Sequence, residues 1–327
     1  MITLTFDNGN SHQVKNKWEE LSSSEYLAVL DYIVLFMSGK MSLVELRQMV
    51  FLLLTGLRHR LHKDPEKATQ QADNISRIAR EFTFMFKIIY ENQKSFTKLK
   101  KEVREQLARK LPSELEQTPE VRWAETAKKE VSIDLVFCKN LLPEIGRRRH
   151  VIKGYSFEVE ENILITSLTA AQFIDAQTVA SEIQESGKEH LLDLLAAILY
   201  CPAPYDSQEA AKLAKELKAL DARVKKAIYI NFNAIQAYLF TRTKYAILFN
   251  APDTKKKPKH NLGLGAVAHS LIKAGYSDVE NSNLVKFFEL MYTELISTVT
   301  GLHKTGLSID KISEQTGLSY KTINEII

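Results

Sequence analysis

Eight histidines and two cysteines are the side chains best suited to metal ligation or nucleophilic catalysis in this chain, and their spacing supports neither. Cys138 and Cys201 have no CxxC partner, and no Cys–His or Ser–His–Asp spacing is recognisable. His59 and His62 stand one helical turn apart, but nothing near them supplies a third ligand. In the run Arg58-His-Arg-Leu-His-Lys they read instead as basic side chains complementing a helix C-terminus. The sequence therefore predicts no metal, no cofactor and no enzyme. Two basic runs have the composition that meets phosphate: Arg147, Arg148 and Arg149, and Lys255, Lys256, Lys257 and Lys259 around Pro258. Both are expected to be solvated loops. The neighbouring Gly263-Leu-Gly265 lacks the preceding strand and the lysine of a phosphate loop.

The remaining chemistry-bearing cluster lies at residues 308–327. Ile312, Gly317, Leu318, Ile323 and Ile326 match a helix-turn-helix pattern, with glycine making the turn, apolar residues packing the helices, and Ser308 and Ser319 as caps. The pattern leaves Ser319, Tyr320, Lys321 and Asn324 on the outer face. There Asn324 can pair with adenine and Lys321 with guanine or phosphate. The stretch holds two lysines against three acids, a poor balance for anchoring a recognition helix on phosphates. Packing accounts for the pattern without DNA.

The elements that must position these residues are mostly helical. Of the chain, 45% is hydrophobic and 26% charged, with a net charge of +4, as in ordinary folded proteins. The most apolar window, residues 48–57, is roughly half of the ~18–20 residues a membrane span needs. With no basic-then-apolar leader and no paired cysteines, the expected setting is a reducing cytoplasm, with no membrane partner. Residues 2–6 and 11–15 alternate around Asn8-Gly9 and predict a hairpin. Ser22 with Glu25 forms a capping box ahead of an apolar helix. Helical spacing continues through Ile75, Ile78, Ala79, Phe82, Met85, Phe86 and Ile89, and residues 94–110 read as a charged helix. Residues 113–130 read as a linker or peripheral arm, and residues 131–138 as a strand.

A second hairpin is expected over residues 155–165, ahead of a second capping box, Thr169 with Gln172. Leu21 to Leu57 and Leu168 to Tyr200, each behind its hairpin, thus share one order: capped helix, Ser-Gly-Lys turn, apolar helix. Ile75-Ser-Arg-Ile-Ala-Arg-Glu-Phe is echoed by Ala210-Ala-Lys-Leu-Ala-Lys-Glu-Leu. The expected fold is mainly α: multi-helix domains with two small β-hairpins, an internal duplication and a C-terminal helix-turn-helix-like segment. The expected domains are residues 1–111 (first repeat), 112–154 (linker or arm), 155–251 (second repeat) and 252–327 (C-terminal helical region).

Three stretches resemble proteins from the structural and tail-assembly gene regions of tailed phages and prophages. They are Trp18-Glu-Glu-Leu-Ser-Ser-Ser-Glu-Tyr-Leu; Leu168-Thr-Ala-Ala-Gln-Phe-Ile-Asp-Ala with Leu195-Ala-Ala-Ile-Leu-Tyr-Cys-Pro; and Leu264-Gly-Ala-Val-Ala-His-Ser-Leu-Ile-Lys-Ala-Gly with Asn283-Leu-Val-Lys-Phe-Phe-Glu-Leu. The chain departs from them in lacking an aromatic before Gly263 and in its helix-turn-helix-like end. The resemblance implies a virion structural or assembly protein, of the tail or neck type. Such a protein acts through contacts with other virion or assembly proteins, or with itself as an oligomer. It is found in the host cytoplasm or in the virion. The alternative is DNA binding through Ser319, Tyr320, Lys321 and Asn324, and a remoter one is an enzyme with an unrecognised site.

Overall fold

The computed structural model describes residues 1–5, 11–57, 63–90, 100, 129–147, 150–249, 263–273 and 275–327. The protein is mainly helical, with eleven α-helices and eight short strands among the described residues. They fall into two compact units, Met1–Leu135 and Val136–Ile327. Of the boundaries drawn from sequence, 111/112 lies outside the described residues and 154/155 falls within the second unit.

In the first unit, strands β1 (Ile2–Thr5) and β2 (Ser11–Val14) pair antiparallel, Ile2 opposite Val14; the Asn8-Gly9 turn lies outside the described residues. A 3-10 turn, Trp18–Glu20, leads into helix α1 (Ser23–Met37). Both halves of the predicted capping box form, Ser22 accepting from the Glu25 N–H and Glu25 accepting from the Ser22 N–H. Gly39, at φ 71°, turns the chain into α2 (Leu43–Thr55), which has its own box, Ser42 with Glu45. The basic tail with His59 lies in residues 58–62, outside the described set. Helix α3 (Pro65–Ala79) starts on Asp64, whose carboxylate takes the N–H groups of Glu66 and Lys67.

Here the helical spacing misled. The helix stops at Ala79, and Phe86–Tyr90 forms strand β3, antiparallel to β4 (Lys129–Ile133). A short apolar run cannot distinguish helix from buried strand. The distant partner at residues 129–133 decides between them, while Phe82 and Met85 still enter the core. The expected strand over residues 131–138 is thus shifted to Lys129–Ile133. The expected charged helix lies outside the described residues apart from Lys100, as does most of the expected arm. Trp18 anchors the unit: its Nε1–H donates to the Asp134 carbonyl (3.0 Å), and its ring meets Phe84 and Tyr26 edge-on. Asn16 ties the exit of β2 to the turn before β3 through Glu81 and Thr83.

The second unit opens with two hairpins where one was expected. Strands β5 (Glu144–Arg147) and β6 (His150–Lys153) pair antiparallel, as do β7 (Phe157–Glu160) and β8 (Ile163–Thr166). Helices α4 (Ala170–Ser186), α5 (Leu191–Leu199), α6 (Ser207–Glu216) and α7 (Ala222–Arg242) follow. A 3-10 segment, Lys244–Leu248, precedes α8 (Gly263–Lys273) and α9 (Leu284–Lys304). The chain ends in α10 (Ile309–Thr316) and α11 (Tyr320–Ile326). Phe173 of α4 sits at the centre of the core, 5.6 Å from the ring centroids of both Phe232 (α7) and Phe288 (α9). A half-buried ion pair, Lys225–Asp193 at 2.6 Å, joins α7 to α5.

Only half of the second capping box forms. Thr169 accepts from the Gln172 N–H, but the Gln172 side chain is buried and donates to the Ile198 carbonyl at 2.7 Å. The first-turn N–H groups of Ala170 and Ala171 instead donate to Ser282 and Glu280, on the segment entering α9.

Candidate functional site

The residues proposed for nucleic acid separate into described and undescribed sets. Lys255, Lys256, Lys257, Lys259, Arg148 and Arg149 lie outside the described residues. Arg147 was assigned to a loop but closes strand β5, opposite His150 in the register. The adjacent β-branched pair Val151-Ile152, between Gly146 and Gly154, is the signal that marks this hairpin in sequence.

Ser319, Tyr320, Lys321 and Asn324 do come together, at the start of α11. Gly317, at φ 71°, makes the turn from α10, and Ile312, Leu318 and Ile323 pack with Val299 of α9. Two hydroxyls that sequence patterning passed over fasten the turn: Ser313 donates to the Leu318 carbonyl (2.7 Å), and Thr322 pairs with Ser319 (2.9 Å). Three of the four outer-face residues are engaged within this segment. Ser319 caps α11 by accepting from the Thr322 N–H. The Tyr320 hydroxyl bonds Asp310, which raises the phenol above its ordinary range. Lys321 stands 3.9 Å from Glu325 one turn on, with both side chains well exposed. Ser308, expected as the other cap, makes no side-chain cap bond.

Two further surfaces stand out. The first is the turn end of the α1–α2 pair. Val34, Met37 and Val44 are 58%, 71% and 55% exposed there, and Leu35 is exposed beside them; Met49 in mid-α2 and Leu57 beyond its far end are exposed as well. In α1 one apolar stripe is buried at Leu30 and Ile33 and open further on at Val34 and Met37, while α2 turns Leu46 and Val50 to the core and Val44 away from it. Apolar helix surface of this kind is expected to be covered by packing.

The second is a cavity of about 450 Å³ in the second unit. One wall is the continuous run from Val151 to Tyr155, and the other is Cys201 to Tyr205, with Ser167, Thr169 and Gln172 completing the lining. Several of its side-chain polar groups are already occupied. Ser167 accepts from the Ser156 N–H, and Thr169 from the Gln172 N–H. Tyr205 donates to Asp175, and burial together with that carboxylate pushes its phenol well up. The Cys201 thiol lies 3.6 Å from the Asp206 carbonyl. Beneath β6, Tyr200 is buried, its hydroxyl donates to the Leu142 carbonyl, and burial raises its phenol far above the ordinary range.

Among the described residues, no helix is long and apolar enough to cross a membrane. Compared with protein-family models, curated proteins and solved structures, the chain matches none of them.

Proposed function

We propose that the chain is a phage or prophage virion assembly or structural protein that works through protein–protein contacts, without a catalytic step or cofactor, in the host cytoplasm or in the particle. The resemblance carried by the three stretches around Trp18, Leu168 and Leu264 supplies the phage context. The observation that carries the contact reading is the open apolar end of the α1–α2 pair. Burying apolar area stabilises association by about 25 cal/mol per Å² before the costs of ordering, so an end of this kind is a docking surface. The order of hairpin and capped helices in the two units, with Asp64 and Asp206 as matching caps of α3 and α6, supports internal duplication as part of the same proposal.

DNA binding draws less support. Ser319, Tyr320 and Lys321 have partners inside the C-terminal helices, and the local charge balance is acidic.

The test is mass spectrometry of purified virions, with pull-downs of the tagged full chain and of Val34→Ser/Met37→Ser/Val44→Ser. The expected result is capture of virion or assembly proteins by the wild type and loss of capture by the triple variant. Its folding stability should change by no more than about 0.5 kcal/mol per site. Equal capture by both proteins, or virions without the chain and no phage protein captured, would overturn the proposal.

A further inference from the structure

The β5–β6 ladder has a free side, and the cavity lies along it. The Gly154 N–H donates to the Pro143 carbonyl at 2.8 Å, in register with Glu144 opposite Lys153 and Ile145 opposite Ile152. Antiparallel pairs alternate between those that exchange hydrogen bonds and those that do not. Ile145 with Ile152 therefore exchanges bonds, whereas the N–H and C=O groups of Val151 and Lys153 turn away from β5. Five consecutive residues, Val151 to Tyr155, line the cavity, and no residue of β5 does. A sheet face would present alternate residues. An unbroken run is what the edge of a strand presents, so the cavity borders the edge opposite β5.

We propose that this slot binds one extended peptide segment of a partner protein, which adds to β6 as a third strand. Among the described residues, the N–H and C=O groups of Val151 and Lys153 find no backbone partner, which leaves the donors and acceptors that an incoming strand requires. Pro202, Ala203, Pro204 and Tyr205 supply a largely apolar wall for an inward side chain of that strand. A polar small molecule is poorly matched, because Ser167, Thr169 and Tyr205 already hold other partners. A second copy of the β5–β6 hairpin is poorly matched too. It would bring its own ladder partner about 4.8 Å further out, on the side walled by Cys201 to Tyr205.

The edge is held ready for binding. A Cβ placed on Gly154 would fall 2.6 Å from the Tyr200 ring, so backbone and ring are in direct contact at the end of β6. The Tyr200 hydroxyl in turn holds the Leu142 carbonyl, just ahead of β5. A preformed edge spares an incoming strand the cost of ordering its template. The site is distinct from the α1–α2 end and stands whether or not the virion reading does.

The experiment selects short random peptides by display against the full-length chain and titrates the synthesised winners by calorimetry, with hydrogen exchange read at single amides. Three results are expected. Bound peptide slows exchange at the Val151 and Lys153 amides. Lys153→Pro, which removes an N–H that β5 does not use, weakens binding about tenfold or more, the equivalent of one lost hydrogen bond. Lys153→Ala leaves affinity close to that of the wild type. The proposal is overturned if no peptide is enriched, if peptides bind without protecting those two amides, or if Lys153→Pro binds as the folded wild type does. It is equally overturned if Lys153→Pro dissolves an oligomer of the free chain, because the occupant is then a second copy. Should Lys153→Pro fail to fold, the exchange pattern of the wild-type complex decides alone.

Discussion

Helices α1 and α4 begin with the same local grammar and are held by different means. Ser22 and Thr169 are the caps, and the aromatic residue four positions on, Tyr26 or Phe173, is fully buried in each case. In α1 the start closes on itself: Ser22 and Glu25 exchange bonds at an exposed position, and Lys15 reaches Glu25 at 2.7 Å. In α4 the segment ahead of α9 supplies carbonyls to the first N–H groups, and Gln172 is released to bond the last turn of α5. Packing differs in the same sense. Helix α5 is buried along nearly its whole length, whereas α1 and α2 keep their apolar turn end open. One capping signal thus begins a helix that tertiary contacts enclose and another that leaves surface for a partner.

The largest test of this contrast is Phe173→Ala. Its ring meets Phe232, Phe240 and Phe288, and removing it should cost about 3–5 kcal/mol in urea unfolding. A loss below about 1 kcal/mol would show that α4 is not enclosed as described. An intermediate effect is expected from Gln172→Leu. It leaves the Ile198 carbonyl with only backbone contacts from the Tyr200 N–H, shared with Ala196, and the Cys201 N–H at a long 3.4 Å, a cost of about 1–3 kcal/mol by the same measurement. Ser22→Ala, which breaks the local cap of α1, should cost about 1 kcal/mol. Equal losses at the two sites, with no structural change around α5, would erase the distinction between a tertiary and a local helix start.

The smallest effect concerns Glu25. Burial raises its carboxyl, but hydrogen bonds from Lys15 and Ser22 outweigh that and hold it below the usual carboxylate range. A depressed folded value contributes stability that is present above the unfolded value of about 4.3 and lost as pH falls through the folded one. Glu25→Gln should therefore remove under about 1 kcal/mol at neutral pH, since the pair is partly exposed, and should make the acid limb of a stability-versus-pH curve shallower. An unchanged acid limb would mean that the Lys15–Glu25 link contributes nothing.

Of the outer-face residues, Ser319 and Lys321 were placed from sequence on a helix start after Gly317, and the structure has them there. Their internal partners, Thr322 and Glu325, are three and four residues away, but nothing in the pattern ranks a cap or an ion pair above an external contact. The slot along β6 was not legible. Its two walls lie about fifty residues apart in sequence, and its recognition groups are backbone atoms, which no residue type announces.

What the sequence by itself determined is what neighbours within a few residues decide: the Ser22–Glu25 box, the β1–β2 and β7–β8 hairpins, the stop ahead of Pro202 and the glycine turn at Gly317. These rest on hydrogen bonds and backbone angles confined to one turn. Tertiary structure alone decided that Phe86–Tyr90 is a strand, because only pairing with Lys129–Ile133 separates strand from helix for so short an apolar run. It decided too that Gln172 serves α5 rather than its own cap, since the Ile198 carbonyl that its side chain reaches lies 26 residues on and is brought there by helix packing. It also decided which apolar side chains of α1 and α2 remain uncovered. Hydrophobicity is a property of each residue, whereas burial depends on which other parts of the chain pack against it.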